Sequence, residues 1–273
     1  MNGLHGKTAI VTGGGSGIGQ AIAIRLAQEG VSVAINYVGR PDGATHTKEA
    51  IDLSVDSCTN AIRDHGHEPL LVSADVSKAD QVERMFAQTI DHFGGIDFLI
   101  NNAGIQISAD TDKLMVEDFD KVLDVNLRGS FLCAKSALQH WLAVDKAGVI
   151  VNVSSVHQEI PKPRFLGYSV SKGGMQNLTR SLALEYAGRK IRVNAIAPGA
   201  TITPINQAWV DDPEKAAMVV SHIPMGRAGT AQEMAAITSF LLSDDAAYIT
   251  GQTIFVDGGL TLFADFRTTW SSE

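Results

Sequence analysis

A tyrosine and a lysine at helical spacing are the first residues of this chain that could perform chemistry. Tyr168 and Lys172 stand four positions apart in a stretch predicted to be helical, so their side chains share one face. An ammonium close to a phenol favours the phenolate, and we therefore expect Lys172 to lower the pKa of Tyr168 from its ordinary value of about 10. Such a tyrosine is suited to proton transfer at an alcohol or carbonyl oxygen. Alone, such a pair more often belongs to a solvated helix face.

Ser155 supplies a second signal for the same chemistry. It stands just beyond an apolar run, residues 149–153, that is predicted to be a buried strand. Open α/β sheets bind their ligands at the carboxyl ends of parallel strands. The Ser155 hydroxyl can therefore hydrogen-bond the substrate oxygen on which Tyr168 acts.

A glycine-rich turn near the amino terminus predicts a phosphate site. Gly13, Gly17 and Gly19 follow the spacing G-x3-G-x-G between a predicted strand and a predicted helix. Gly13 allows a sharp turn, Gly17 lets the backbone approach a pyrophosphate, and Gly19 lets the helix pack closely on the sheet. The helix start, with Ser16 and Ile18, adds free N–H groups and a partial positive charge. A merely tight turn is the alternative interpretation.

These residues, together with motifs farther along, resemble the short-chain dehydrogenase/reductase family over nearly the whole chain. The resemblance implies an NAD(P) cofactor and hydride transfer. In the family, an Asp after the third strand lies near the adenine ring, and a Pro-Gly loop with a Thr holds the nicotinamide amide. The further matching positions, in chain order, are Asp75, Val76, Asn101, Asn102, Ala103, Gly104, Asn126, Pro198, Gly199 and Thr203.

The resemblance also implies a mechanism and an assembly. Lys172 would bind the nicotinamide ribose and lower the pKa of Tyr168, and Tyr168 would take the alcohol proton. Ser155 would orient the substrate oxygen, and Asn126 would support a water that links Lys172 to solvent. A homotetramer built from the two long helices is expected as well.

The end of the second predicted strand decides the choice between NADP and NAD. A carboxylate there would accept hydrogen bonds from the ribose 2′-hydroxyl and repel a 2′-phosphate. The chain has Asn36 and Tyr37 instead, followed by Arg40, which could pair with a 2′-phosphate. We therefore expect NADP as cofactor, with NAD also accepted. A solvated loop arginine is the alternative interpretation of Arg40.

The substrate half of the chain most resembles the bacterial glucose 1-dehydrogenases within the family, notably over residues 154–161. This implies a sugar or polyol substrate, with His157 beside Ser155 and Tyr168. Three substrate-side positions depart from that group, because Gln106 and Gln158 replace acidic residues and Ile202 replaces an asparagine. Fewer paired polar groups disfavour D-glucose itself. A general ketone or 3-oxoacyl reductase is the alternative, and a non-catalytic dinucleotide-sensing regulator is disfavoured because the catalytic residues are all present.

Alternating strand and helix patterns must position these residues. They predict one domain over residues 1–273: an α/β, Rossmann-like, doubly wound parallel sheet of about seven strands. Residues 39–58 are predicted to form an insertion beside the adenosine site, and a solvated surface excursion without a role is the alternative. The predicted strands are Lys7–Thr12, Val31–Asn36, Pro69–Ser73, Asp97–Asn101, Val149–Val153, Arg192–Ile196 and Thr253–Val256, and the predicted helices are Gly17–Glu29, Lys78–Phe93, Glu117–Val144, Tyr168–Ala187 and Ala231–Leu242.

Composition excludes several classes of protein. The formal net charge of −8 argues against binding to nucleic acid or to an anionic membrane surface. Two cysteines are too few for a disulfide scaffold, and the spacing of the eight histidines predicts no zinc site. With no leader-like or membrane-spanning segment, a cytoplasmic enzyme is expected.

Overall fold

The computed structural model describes residues 1–39 and 48–262, of which residues 48–54 are described by their backbone alone. Its centre is a parallel sheet of seven strands in the order β3-β2-β1-β4-β5-β6-β9, which confirms the predicted doubly wound fold. The strands are β1 (Thr8–Val11), β2 (Ser32–Tyr37), β3 (Leu70–Ser73), β4 (Phe98–Asn101), β5 (Gly148–Val153), β6 (Ile191–Pro198) and β9 (Thr253–Val256), and a separate parallel pair consists of β7 (Thr201–Ile202) and β8 (Gly229–Thr230).

Helices cover both faces of the sheet and follow the strands in alternation. In the described ranges they are α1 (Gly17–Gln28), α2 (Lys48–Arg63), α3 (Ala79–Phe93), α4 (Val116–Leu123), α5 (Gly129–Ala143), α6 (Leu166–Tyr186), α7 (Gln207–Val210), α8 (Pro213–Ser221) and α9 (Ala231–Leu242). None of these helices is long and apolar enough to cross a membrane.

Burial on two faces explains why the strands are apolar throughout. Alternate residues of β1 enter different core clusters: Ala9 and Val11 pack with α1 and α9, whereas Ile10 packs with α3 and α5. Both faces of the sheet are covered in this way, so the central strands β1, β4 and β5 are buried at every position.

The order of the strands places the ligand crevice at β1 and β4. From these two neighbours the chain winds outward in opposite directions, and Val11 lies beside Ile100 near their carboxyl ends. Such a reversal leaves an open crevice beyond the strand ends. The glycine turn after β1 and the Asn102 segment after β4 therefore face each other.

The long helix predicted over Glu117–Val144 consists of three parts. Helices α4 and α5 are joined without a break by a π-helical turn, Asp124–Arg128, which contains Asn126. A π turn inserts one extra residue and often occurs at functional sites, because it redirects a side chain. The sequence pattern showed the continuous helix but not this widened turn.

The region between β6 and β9 is more structured than expected. Strands β7 and β8 and helices α7 and α8 were absent from the sequence prediction, because each is short and only partly buried. Within the expected insertion, α2 begins at Lys48. Residues 40–47 of the insertion lie outside the described residues, as do residues 263–273.

Candidate active site

The glycine turn has the backbone that a phosphate cradle needs. Gly13 and Gly17 have φ values of 60° and 55°, in the left-handed region that glycine tolerates. A Cβ on Gly19 would collide with the Gly13 carbonyl oxygen and the Asn102 amide. Ser16 is the N-cap of α1 and makes no side-chain cap hydrogen bond, so the helix start keeps donors for an anion. These features fit the pyrophosphate of a dinucleotide.

The Asn102 segment holds this turn in place. The Asn102 side chain donates to the carbonyl oxygens of Thr12, at 2.9 Å, and Gly13, at 3.1 Å. In return, Thr12 Oγ1 accepts the backbone N–H groups of Asn102 and Ala103 at 2.9 and 3.0 Å. Donors and acceptors are thus satisfied across the crevice, and Gly104 follows at its edge.

Asn36 supports the turn from the neighbouring strand. Its Oδ1 accepts the Gly13 N–H at 3.3 Å, while its Nδ2 donates to the carbonyl oxygens of Ala74, at 2.8 Å, and Val72, at 3.3 Å. The side chain is 1% exposed. Asn36 therefore connects the glycine turn to β3, and its hydrogen bonds leave no polar group of its side chain for a ribose. The next residue, Tyr37, lies at the end of β2 and is partly exposed.

Asn126 joins two further parts of the site. The π turn directs its amide at Ile105: Oδ1 accepts the Ile105 N–H at 2.8 Å, and Nδ2 donates to the Ile105 carbonyl at 2.9 Å. Nδ2 also donates to Ser171 Oγ at 3.0 Å, next to Lys172. Asn126 is fully buried, so its contacts position the loop after β4 against α6.

Ser155, Tyr168 and Lys172 meet at the carboxyl end of β5. The Ser155 and Tyr168 side chains both line the cavity, and the polar interaction with Ser155 lowers the pKa of Tyr168, against the larger effect of burial. The Lys172 ammonium lies 5.5 Å from the centre of the Tyr168 ring and donates to the Val153 carbonyl at 2.7 Å. The His157 ring stands edge-on to Tyr168, with centroids 6.1 Å apart, and its Nδ1 contacts the Ile160 carbonyl at 2.8 Å.

The acid–base properties of this group correct one expectation. Burial raises the pKa of Tyr168 above its ordinary value, opposed by the Ser155 hydrogen bond, so the predicted lowering by Lys172 is wrong for the protein alone. Burial lowers the pKa of Lys172 to about 8. Desolvation, which disfavours both charged forms, therefore dominates over attraction between them.

A cavity of ≈ 400 Å³ connects the glycine turn with the Ser155–Tyr168 pair. Its lining includes most of the predicted site residues and, in addition, several that the motifs did not indicate. The predicted ones are Gly13, Ser16, Gly17, Ile18, Asn102, Ala103, Gly104, Gln106, Ser155, Tyr168, Lys172, Pro198, Gly199 and Thr203; the additional ones are Ile105, Val153, Ser154, Thr201, Pro204 and Ile205.

Several predicted residues stand outside this lining. Gly19, Asn36 and Asn126 support it from behind. The Asp75 carboxylate accepts the Ser77 N–H at 2.9 Å, Val76 is buried against Gly129, and His157 lies behind Tyr168. Ile202 is 52% exposed and does not line the cavity, although its neighbours Thr201 and Thr203 do. Tyr37 also lies outside the lining, and Arg40 is outside the described residues.

Comparison with known proteins identifies the family. A family described as Enoyl-(Acyl carrier protein) reductase matches residues 13–261. Glucose 1-dehydrogenase of Gluconobacter oxydans (strain 621H) is 47% identical over 268 residues, which make up 98% of this chain and 96% of that protein. The chain belongs to the short-chain dehydrogenase/reductase family. The resemblance inferred from its motifs is confirmed.

Two further proteins are similar to this short-chain dehydrogenase/reductase. 3beta-hydroxysteroid dehydrogenase 1 of Eggerthella lenta is 45% identical over 264 residues, 97% of each chain. A solved structure of an Agrobacterium tumefaciens protein, assigned as a 2-deoxy-d-gluconate 3-dehydrogenase, contains bound NADP. Its sequence is 32% identical to this chain, and the two structures match with a TM-score of 0.83 over 94% of this chain and 96% of that one. The chain is accordingly an NAD(P)-dependent oxidoreductase acting on CH–OH groups.

The additional lining residues of this dehydrogenase/reductase had weak signals in the sequence. Ile105 follows the asparagine motif directly, and Thr201, Pro204 and Ile205 flank the predicted Thr203. Their participation depends on the short β7–β8 pair, which brings residues 201–205 beside the glycine turn: a Cβ on Gly17 would lie 3.6 Å from Pro204. Motif matching alone does not detect such contacts between distant segments.

Proposed function

We propose that this dehydrogenase/reductase transfers hydride between a nicotinamide cofactor and a hydroxyl-bearing carbon of a sugar or polyol. The preferred cofactor is NADP, and NAD is also accepted. The observation that carries the proposal is that Ser155 and Tyr168 line the same cavity as the glycine turn. A reacting oxygen and a dinucleotide phosphate would thus be held in one continuous site.

Each side chain has a distinct part in the proposed reaction. Bound at the glycine turn, the dinucleotide supplies the nicotinamide that accepts or returns the hydride. In oxidation Tyr168 acts as the phenolate, whose Oη takes the proton of the substrate hydroxyl; in reduction it acts as the phenol and gives its proton to the carbonyl oxygen. Ser155 Oγ hydrogen-bonds the same oxygen and stabilises its partial negative charge. The Lys172 ammonium would stabilise the phenolate form, and Asn126 positions the loop after β4 against α6.

The preference for NADP rests on the end of β2. Asn36, the last fully buried polar residue there, is neutral, so that position has no carboxylate to repel a 2′-phosphate. Its amide is hydrogen-bonded to Gly13 and Ala74. Arg40 would supply the cation. The NADP held by the Agrobacterium tumefaciens protein supports the same choice.

The relatives support a sugar substrate, and the substrate end of the cavity argues against D-glucose as the preferred one. Gln106 Nε2 donates to the Ile205 carbonyl at 3.4 Å, so part of its hydrogen-bonding capacity is used within the protein. Few side-chain groups then remain for the several hydroxyls of a sugar, and an unpaired buried hydroxyl costs about 1–3 kcal/mol. D-glucose should therefore be a substrate inferior to other carbohydrates.

A substrate panel followed by nicotinamide absorbance tests the proposal. It should include D-glucose, other aldoses, sugar acids, polyols, simple ketones and a 3-oxoacyl thioester, each with NADP and NAD. We expect the largest kcat/KM for a carbohydrate other than D-glucose. Activity confined to simple ketones or acyl thioesters would refute the sugar proposal, and a clear optimum at D-glucose would refute the argument against it.

A ketone reductase is the second candidate function. Ile105 and Ile205 line the cavity near Gln106, and Ile205 is 50% exposed, so the substrate end has an apolar wall. Such a wall suits a bulky alicyclic substrate, and the similarity to the Eggerthella lenta hydroxysteroid dehydrogenase points the same way. A cyclic ketone included in the substrate panel distinguishes a ketone reductase from a sugar or polyol dehydrogenase.

We further propose that the enzyme is a cytoplasmic homotetramer. A groove between the π turn and α6 has apolar lining residues, among them Phe131, which is 47% exposed, and it has charged ones as well. The lining consists of Leu123, Leu127, Phe131, Gly174 and Leu178 together with Asp120, Asp124 and Arg128. A second copy of α4, α5 and α6 would bury this apolar face. Light scattering after chromatography should give a tetramer for the wild type and a smaller species for Phe131→Asp.

A further inference from the structure

Ser171 lies in α6 between the two residues of the proposed proton-transfer pair, Tyr168 and Lys172. The residue is fully buried, and it does not line the cavity. A substrate or dinucleotide bound in the cavity therefore has no direct contact with the Ser171 hydroxyl. Any influence of this hydroxyl on the reaction has to act through the groups to which it is bonded.

The Ser171 hydroxyl forms two hydrogen bonds, one within its own helix and one to another element. Its Oγ donates to the Tyr168 carbonyl oxygen at 2.7 Å and accepts from Asn126 Nδ2 at 3.0 Å. A bond from a helical serine to an earlier carbonyl of the same helix is common by itself. The second bond is different, because it joins the peptide group of Tyr168 to the π turn through a single hydroxyl.

From Asn126 the connection continues to the wall of the cavity. The Asn126 amide forms two hydrogen bonds with the backbone of Ile105, at 2.8 and 2.9 Å, and Ile105 lines the cavity. Within the described part of the chain, Ser171 is the one residue of α6 that is hydrogen-bonded to Asn126. Its hydroxyl is therefore the link between the loop after β4 and the helical turn that contains Tyr168.

The amino-terminal turn of α6 depends on contacts of this kind. Tyr168 is the third residue of the helix, and the N-cap residue, Phe165, makes no side-chain cap hydrogen bond. The first backbone N–H groups of a helix have no intrahelical partner, so this end of a helix is held less firmly than its middle. The position of Tyr168 is therefore set by neighbouring elements as well as by the helix itself.

We propose that Ser171 is a positioning residue for proton transfer, because it joins the peptide group of Tyr168 to the wall of the cavity. This inference rests on the proposed function, since it takes Tyr168 as the group that exchanges a proton with the substrate. It applies equally to a sugar and to a ketone substrate. Loss of the hydroxyl would let the first turn of α6 shift relative to Ser155, and a misplacement of about 1 Å slows a reaction about a hundredfold.

Replacement of Ser171 by alanine tests the proposal, with the compound of the substrate panel that the wild type turns over fastest. Ser171→Ala should lower the rate of hydride transfer in a single turnover about ten- to a hundredfold. The Kd for NADP, measured by fluorescence titration, should change by less than about threefold, because the glycine turn keeps its bonds to Asn102 and Asn36. Alanine favours a helix more than serine does, so the backbone of α6 should remain intact.

Thr179 provides a matched control on the same helix. Its Oγ1 donates to the Met175 carbonyl oxygen at 2.9 Å and accepts from Asn152 Nδ2 at 2.8 Å, so it repeats the bonding pattern of Ser171 farther from Tyr168. Thr179→Ala removes an equally buried hydroxyl and should lower the midpoint of urea unfolding at least as much. Its rate of hydride transfer should stay within about threefold of the wild type. An equal fall in rate in both variants would make loss of stability the cause and would overturn the proposal.

A double-mutant cycle shows whether Ser171 acts through Asn126. Asn126→Ala removes the other end of the link, so the addition of Ser171→Ala should lower the rate by less than about a further threefold. Effects that multiply in the double variant would overturn the proposal, as would a Ser171→Ala enzyme as fast as the wild type. If the wild type turns over no compound of the panel, or if Tyr168→Phe keeps the full rate, the proposed function fails and this inference fails with it.

Discussion

The Lys172 ammonium lies 5.5 Å from the centre of the Tyr168 ring; Lys172 is buried, and Tyr168 is half-buried. Because burial disfavours every charged form, it raises the pKa of the phenol and lowers the pKa of the ammonium, to about 8. In the protein alone, Tyr168 is therefore a protonated acid at neutral pH. The short Lys172–Val153 hydrogen bond holds the ammonium just below the ring.

Replacement of Tyr168 by phenylalanine tests the acid–base assignment. Tyr168→Phe removes the only proton-transferring atom of that side chain while keeping its ring, so turnover should fall on the order of 10²–10⁴-fold. Dinucleotide affinity, measured by fluorescence titration, should change little. Tyr186→Phe, on the same helix, is the matched control and should keep full activity. Near-wild-type turnover in Tyr168→Phe would contradict the mechanism.

Replacement of Lys172 by methionine should stabilise the protein while abolishing useful activity. A lysine whose pKa is about 8 when folded and about 10.4 when unfolded costs stability at pH 7, where both states are protonated, on the order of 3 kcal/mol. Loss of the hydrogen bond to Val153 offsets about 1 kcal/mol of this cost. Lys172→Met should therefore be about 2 kcal/mol more stable in urea unfolding at pH 7.

The stabilising effect of Lys172→Met should depend on pH. Above pH 8 the folded lysine loses its proton while the unfolded one keeps it, so the wild type gains stability as pH rises from 8 toward 10. The stability advantage of Lys172→Met should therefore shrink between pH 7 and pH 9.5. Lys135→Met, at an exposed position of α5, should show no such trend. An advantage independent of pH would rule out the buried charge as its cause.

Replacement of Asn36 by aspartate should damage both the fold and the cofactor site. The carboxylate can still accept the Gly13 N–H, but it cannot donate to the Ala74 and Val72 carbonyls that Asn36 now satisfies. Orphaned acceptors beside a buried charge should lower the free energy of unfolding by about 2–3 kcal/mol. Dinucleotide affinity should fall as the turn loosens. The surface control Asn60→Asp should change neither quantity, and an equally stable Asn36→Asp would show that these bonds contribute little.

Replacement of Arg40 by alanine tests the choice of cofactor. The residue follows the second strand in the sequence, where a cation would pair with the 2′-phosphate of NADP. Arg40→Ala should weaken NADP binding roughly ten- to a hundredfold and leave NAD binding nearly unchanged. Titrations of both dinucleotides measure this directly. An equal loss with both would show that Arg40 does not discriminate between them.

Local spacing was enough to predict the framework of the site. The glycines after β1, the asparagine motif after β4, Ser155 after β5 and the Tyr168–Lys172 pair all lie at the ends of strongly patterned elements. Parallel strands bring their carboxyl ends to one edge of the sheet, so the position of each residue relative to its own strand already determines that they converge. The seven-stranded sheet followed from the same alternation.

Side-chain partners and burial were decided only by the tertiary structure. Asn36 is hydrogen-bonded to Gly13 and Ala74, and Ile202 does not line the cavity, although both stand where a ligand contact was expected. The pKa of Tyr168 shifts opposite to the expectation, because desolvation depends on every atom packed around the phenol. Hydrogen bonds and desolvation join residues far apart in the chain, and no local pattern encodes them.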